Sequence, residues 1–257
     1  MVRRAWTRDE LLVAFNLYCK IPFGRIHKEN PEIIKLASYI GRTPSSVAMK
    51  LVNFASLDPI QKQRNIKGLS NASRADRLIF EEFARNWNKT ALESEIKIDQ
   101  FKSSDHKLNN RAKDIKTPKG HTETSRFVKV RKVQNFFRTS VLISYFFKCA
   151  MCDLAVSELL NASHIIPWKD DEKRRADPTN GISLCTLHDR AFDRGLVSID
   201  DDLKIIISSS LQIKTENNVH QYAFLCIQGK KLSTPNRFAP DRKALEYHRK
   251  RIFIENS

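Results

Sequence analysis

Between Cys149 and Asp193, 45 residues hold side chains suited to two kinds of metal chemistry. Cys149 and Cys152 are separated by two residues, and so are Cys185 and His188. Four soft or imidazole donors in two such pairs suit a tetrahedral structural Zn2+, with the sulfurs bound as thiolates. The stretch between the pairs is too long for a small zinc finger. A metal there is expected to staple two separated pieces of one domain.

A second set of residues lies inside this frame. His164 ends an apolar run closed by Pro167, a context that holds an imidazole in one direction. With an ordinary pKa of about 6.5, such a His can accept a proton at neutral pH. Asn180-Gly181 reads as a turn whose Asn amide could pin the loop that positions His164. A short helix over Thr186–Arg194 places Asp189 and Asp193 on one face, four residues apart. Two carboxylates there can hold a hard cation such as Mg2+. The bland reading is a solvated helix face, since Arg190 and Arg194 stand beside them. A proton acceptor next to a carboxylate pair is what hydrolysis of a phosphodiester needs: a base for water and a cation to neutralise charge.

These residues resemble the HNH endonuclease family. The resemblance rests on Ser163 to Trp168, Asn180-Gly181 and His188 to Leu196. Arg138, Val141, Leu142 and Tyr145 precede them, and Tyr247-His248-Arg249 follows. It covers about residues 126–254 and implies a ββα-metal core with a structural zinc. It also implies that His164 is the general base, that Asn180 is the central Asn, and that Asp189 and Asp193 hold the catalytic divalent cation. Ser163 stands where many members have a His or Asp metal ligand, which leaves that cation more water. His188 stands where zinc-bearing members usually have Cys, so it could bind the zinc, as we expect, or turn to the catalytic metal.

The elements that must position this site follow from periodicity and capping. A basic amphipathic helix over 126–147 brings Arg131, Lys132 and Arg138 towards the cysteines, where they are expected to contact DNA. Strands are expected over 203–209 and 222–227, with a terminal helix over 241–254. Ahead of this domain, residues 99–125 scatter Lys and Arg among Ser, Asn, Thr, Pro and Gly, and read as a basic linker.

Residues 1–98 read as helical. Thr7 and Glu10 form a capping box, with Leu11, Ala14, Phe15 and Tyr18 on the buried face. A second helix from Pro31 carries Ile33, Leu36, Ala37 and Ile40, and Gly41 stops it. Thr43 caps a third, with Pro44 at its first position and Val47, Leu51 and Phe54 inward. Helix, Gly turn, capped helix is a helix-turn-helix layout, similar to Myb/SANT units. Ser45, Ser46, Met49, Lys50 and Asn53 are then expected on its exposed, DNA-facing side. One further helix is expected over 73–96, with Ile79, Phe83 and Trp87 in one stripe. The whole N-terminal half resembles the helical extension of bacterial restriction-type HNH proteins.

The chain has 257 residues, 41% of them hydrophobic, enough for a packed core. A formal charge of +16 favours a polyanionic partner. No signal peptide or membrane span is expected, and five Cys, three within the motif, suit a reducing cytoplasm better than a disulfide framework. Cys19 and Cys226 are expected as core thiols. The expected fold is α+β: an all-α domain at 1–98, a linker at 99–125 and a nuclease domain at 126–257. The expected function is a metal-dependent DNA endonuclease in restriction or anti-phage defence, acting on double-stranded DNA and able to pair as a homodimer. The alternatives are a non-catalytic zinc-containing DNA-binding regulator and an RNA nuclease.

Overall fold

The computed structural model describes residues 4–63, 72–109, 122–212 and 217–255. The chain forms two compact units, residues 1–136 and 137–257. The fold is α+β, mostly helical with two small antiparallel sheets. Among the described residues no helix is long and apolar enough to cross a membrane.

In the first unit, α1 (Arg8–Lys20), α2 (Pro31–Tyr39) and α3 (Pro44–Ala55) form as their caps dictate. Thr7 and Glu10 make both halves of a capping box, and Thr43 accepts from the Ser46 amide. Gly41 turns the chain at φ +62. A short α4 (Pro59–Gln63) follows. The single helix expected over 73–96 is two: α5 (Arg74–Arg85) and α6 (Trp87–Asn109). Asn86 breaks them apart with an extended backbone (φ -159, ψ 82), and its side chain caps α6 through the Lys89 amide. The predicted stripe survives the break. Phe83 lies 4.4 Å and Trp87 6.1 Å from the ring of Phe15, which also meets Phe54 edge-on at 5.0 Å.

Two surface expectations on α3 change. Lys50 is buried and bonds the fully buried Asp76 at 2.8 Å, with Trp6 beside it, and Asn53 is buried as well. A lysine committed to a buried carboxylate holds the α3–α5 contact, and removing it would strand that charge at a cost of about 3–5 kcal/mol. Ser45 and Met49 stay exposed and Ser46 half-exposed. Helix α6 runs on to Asn109, so the first part of the expected linker is helical, while residues 110–121 lie outside the described residues.

Helix α7 (Thr122–Ser144) begins in the first unit and ends in the second. The second unit continues with β1 (Leu160–His164) and β2 (Gly181–Cys185), paired antiparallel, then α8 (Thr186–Asp193). A second hairpin follows, β3 (Val197–Ile199) and β4 (Ile205–Ile207). The strand expected over 222–227 is instead α9 (Asn218–Ala223), capped by Asn217, and a 3-10 turn over Leu225–Ile227. Its apolar residues are consecutive, a pattern that fits a buried strand or a helical turn equally. Cys226 is exposed there, not a core thiol, whereas Cys19 is buried. The terminal helix α10 (Arg242–Arg251) packs on β3, and the segment after it crosses Gly195.

Two glycines are needed for close approach. A Cβ on Gly181 would lie 2.4 Å from Val141 and 2.8 Å from the ring of Phe137. Gly181 is extended at φ -134, so the Asn180-Gly181 pair is not a left-handed turn as its sequence suggests. The glycine lets α7 lie directly on the hairpin. Gly195, at φ +70, would place a Cβ 1.9 Å from the Ile252 carbonyl.

Candidate metal and hydrolytic centre

The knuckle residues Cys149 and Cys152 follow the end of α7, while Cys185 ends β2 and His188 lies in the first turn of α8. The β1–β2 pairing sets Leu160 opposite Cys185, and the Ala150 amide bonds the Ser183 carbonyl at 2.7 Å, so knuckle and hairpin meet. The four ligand atoms all lie within 4.8 Å of one another. Nδ1 of His188 is 3.5 Å from the Cys149 sulfur and 3.3 Å from that of Cys185; the Cys152 and Cys185 sulfurs are 4.0 Å apart. Donors at ordinary zinc bond lengths stand about 3.5–3.8 Å apart in a tetrahedron. The donor set fits a metal such as zinc.

His188 serves this cluster. Its Nε2–H donates to the Ala223 carbonyl at 2.8 Å, which leaves Nδ1 as the ligand atom facing the sulfurs. Burial alone would weaken its hold on a proton, but the Cys149 and Cys185 sulfurs raise its pKa to about 10. The same crowding pushes the Cys152 thiol up and the Cys185 thiol down. A bound cation removes that competition by taking the sulfurs as thiolates.

His164 ends β1 in register with Gly181, so the glycine leaves room for a neighbour on that face. Phe137 fills it, lying flat on the imidazole with centroids 3.8 Å apart, and Trp168 meets the same ring edge-on at 5.6 Å. Nε2 of His164 lies 3.0 Å from the Arg175 carbonyl. Burial lowers the pKa of His164, with the Arg175 carbonyl and the Asp189 charge opposing. Asn180 is buried and grips both backbone groups of Ile166: Oδ1 accepts from its N–H at 2.9 Å and Nδ2 donates to its carbonyl at 3.1 Å. The loop that leaves His164 is thereby closed on itself.

Asn161, three residues before His164 on β1, donates to Asp189 at 2.8 Å. Burial and the neighbouring Asp189 charge raise Asp193 to about 6, offset in part by Arg190 and Arg194. The Ser163 hydroxyl is buried without a hydrogen-bond partner among the described residues. Asp189 and Asp193, four residues apart on α8, repel each other.

Residues 149–200 match the family model for an HNH endonuclease. The chain carries an HNH endonuclease domain. No curated protein matches the chain. This domain supports a nuclease, with nucleic acid as its substrate. The HNH domain holds all eight residues singled out between Cys149 and Asp193. Of the basic residues expected to meet DNA, Arg131 and Arg138 are exposed, but Lys132 is engaged by Asp99. Trp168 closes the Ser163–Trp168 motif, whereas three other neighbours, Phe137, Asn161 and Arg175, carry no signal in the sequence.

Proposed function

We propose that the chain is a metal-dependent DNA endonuclease with His164 as general base, serving restriction or defence against invading DNA. The bond from His164 to Arg175 carries this reading. A carbonyl only accepts, so the proton of the neutral ring sits on Nε2 and Nδ1 keeps its lone pair. Nδ1 takes a proton from water, and the hydroxide attacks phosphorus. The P–O bond to the 3′ oxygen breaks, leaving a 5′-phosphate and, once that oxygen is protonated, a 3′-hydroxyl. General-base help of this kind contributes about 10²–10⁴-fold.

Held by Asp189 and Asp193, a Mg2+ or similar cation would supply charge neutralisation at the scissile phosphate and the departing oxygen. Asn161 orients Asp189 for this. Asn180 keeps the His164 loop closed. Zn2+ held by Cys149, Cys152, Cys185 and His188 would be the structural ion, tying knuckle, β2 and α8 together.

Double-stranded DNA is the substrate we favour, because a chain of charge +16 also carries a helix-turn-helix-like unit with Ser45, Ser46 and Met49 outward. One His164 cuts one strand, so a double-strand break takes two copies, as in a homodimer. We place the chain in the cytoplasm, where thiolate ligands stay reduced. Incubation of the protein with Mg2+ or Mn2+ and either supercoiled plasmid or RNA tests the reading. Nicked plasmid, sensitive to chelation, is the expected product. Digestion of RNA alone would move the substrate to RNA, and tight binding without cleavage would make the chain a regulator.

A further inference from the structure

Residues 165–180 loop out from His164 and return at Asn180, and two adjacent arginines divide the work of holding them. Arg174 serves the far side of the loop. Its Nε donates to Asp177 at 2.8 Å and its Nη2 to Thr179 at 3.2 Å, with Asp241 3.6 Å away. Arg175 turns the other way. Its Nε donates to the Trp168 carbonyl at 2.9 Å, its guanidinium lies 5.0 Å from the Trp168 ring centroid, and Glu172 is 3.7 Å away. The ring it covers is the one that meets His164 edge-on, and its own carbonyl takes the Nε2–H of that His. The Arg175 amide itself bonds the Glu172 carbonyl at 3.4 Å, and the Asp177 amide bonds the Arg174 carbonyl at 3.1 Å.

We propose that Arg175 is a positioning residue: its guanidinium, tied across the loop to Trp168, holds the Arg175 carbonyl on Nε2 of His164 and so keeps Nδ1 free to take a proton. The inference rests on His164 being the base. A planar guanidinium can donate along its edge while its face covers an indole, and a lysine cannot do both. Loss of the tie lets the carbonyl drift. The imidazole then divides between its two tautomers, of which only one presents a basic Nδ1.

The test uses full-length protein, labelled with 15N at histidine, and its Arg175→Ala, Arg175→Lys and Arg174→Ala variants. The His164 ring signals are assigned by their loss in His164→Gln. Wild type and Arg174→Ala should show a single Nε2–H tautomer, the latter with a lower melting temperature. Both Arg175 variants should show mixed tautomers. In plasmid nicking with Mg2+, their kcat should fall by about 10- to 100-fold while KM stays within about twofold. A single tautomer retained in Arg175→Ala would overturn the proposal. So would a raised KM that lysine restores, which would make Arg175 a phosphate contact. Scrambling in Arg174→Ala as well would reduce the effect to general loosening of the loop. The tautomer is read without turnover, so an active His164→Gln would count against the base assignment alone.

Discussion

The ring of Phe137 lies flat on the imidazole of His164, their centroids 3.8 Å apart and their planes 12° from parallel. The contact exists because Gly181, directly across the hairpin from His164, has no side chain to keep α7 away. It removes water from one face of the base and so helps to keep the ring neutral.

Replacing Phe137 by Ala should therefore act on pH dependence as well as stability. The active form is the neutral ring, so wild-type cleavage should lose activity on acidification with a midpoint below the ordinary value of about 6.5. Hydrating that face should move the midpoint upward, and the lost ring should cost about 3–5 kcal/mol of stability. Rate–pH profiles and urea unfolding check both; an unmoved acid limb would show that Phe137 does not set the protonation of His164.

At Asn180 the side chain both accepts and donates, so neither aspartate nor alanine replaces it. Either change strands one or both backbone groups of Ile166 at about 1–3 kcal/mol each. Aspartate should be no better than alanine, because its second oxygen faces the Ile166 carbonyl. Urea midpoints of the two variants give the comparison, and a near-wild-type aspartate variant would contradict the assigned contacts.

For the cysteine cluster, metal analysis of purified protein should give about one zinc per chain. Cys149→Ser should lose it and lower the melting temperature of the C-terminal unit. His188→Cys should retain the metal as a four-thiolate site, whereas His188→Ala should not. A stable, zinc-free wild type would refute the staple.

His248 makes a second pH-linked prediction. It is buried, stacked on Phe192, with Nε2 donating to the Phe192 carbonyl and Nδ1 accepting from Ser198. Burial lowers its pKa to about 4. The folded state thus binds fewer protons than the unfolded one between about pH 6.5 and 4. Its contribution is complete above that window and lost as pH falls through it, by up to about 3 kcal/mol. His164 shifts in the same direction, so the measurement is the pH slope of urea stability in wild type against His248→Asn. Equal slopes would remove His248 as the cause.

Much of this was legible in the sequence because local chemistry dictated it. Thr7, Thr43 and Gly41 set helix ends through their own caps and backbone preferences. The Cys and His spacing announced the ligand cluster. Other features depend on tertiary partners that no local pattern encodes. Lys50 reads as a surface lysine until Asp76 is placed behind it. Asn161 reads as a polar strand residue until α8 brings Asp189 across the hairpin. The break at Asn86 is hidden because the apolar stripe continues through it, and Gly181 reads as a turn residue although packing requires it.

The most direct measurement is nicking of supercoiled plasmid by wild type and His164→Ala, each folded and zinc-loaded, in Mg2+, in Mn2+ and in EDTA. We expect wild type to nick with either metal and to stop in EDTA. We expect His164→Ala to be slower by about 10²–10⁴-fold while binding DNA as wild type does. Equal rates in the two proteins would contradict the role of His164 as the base.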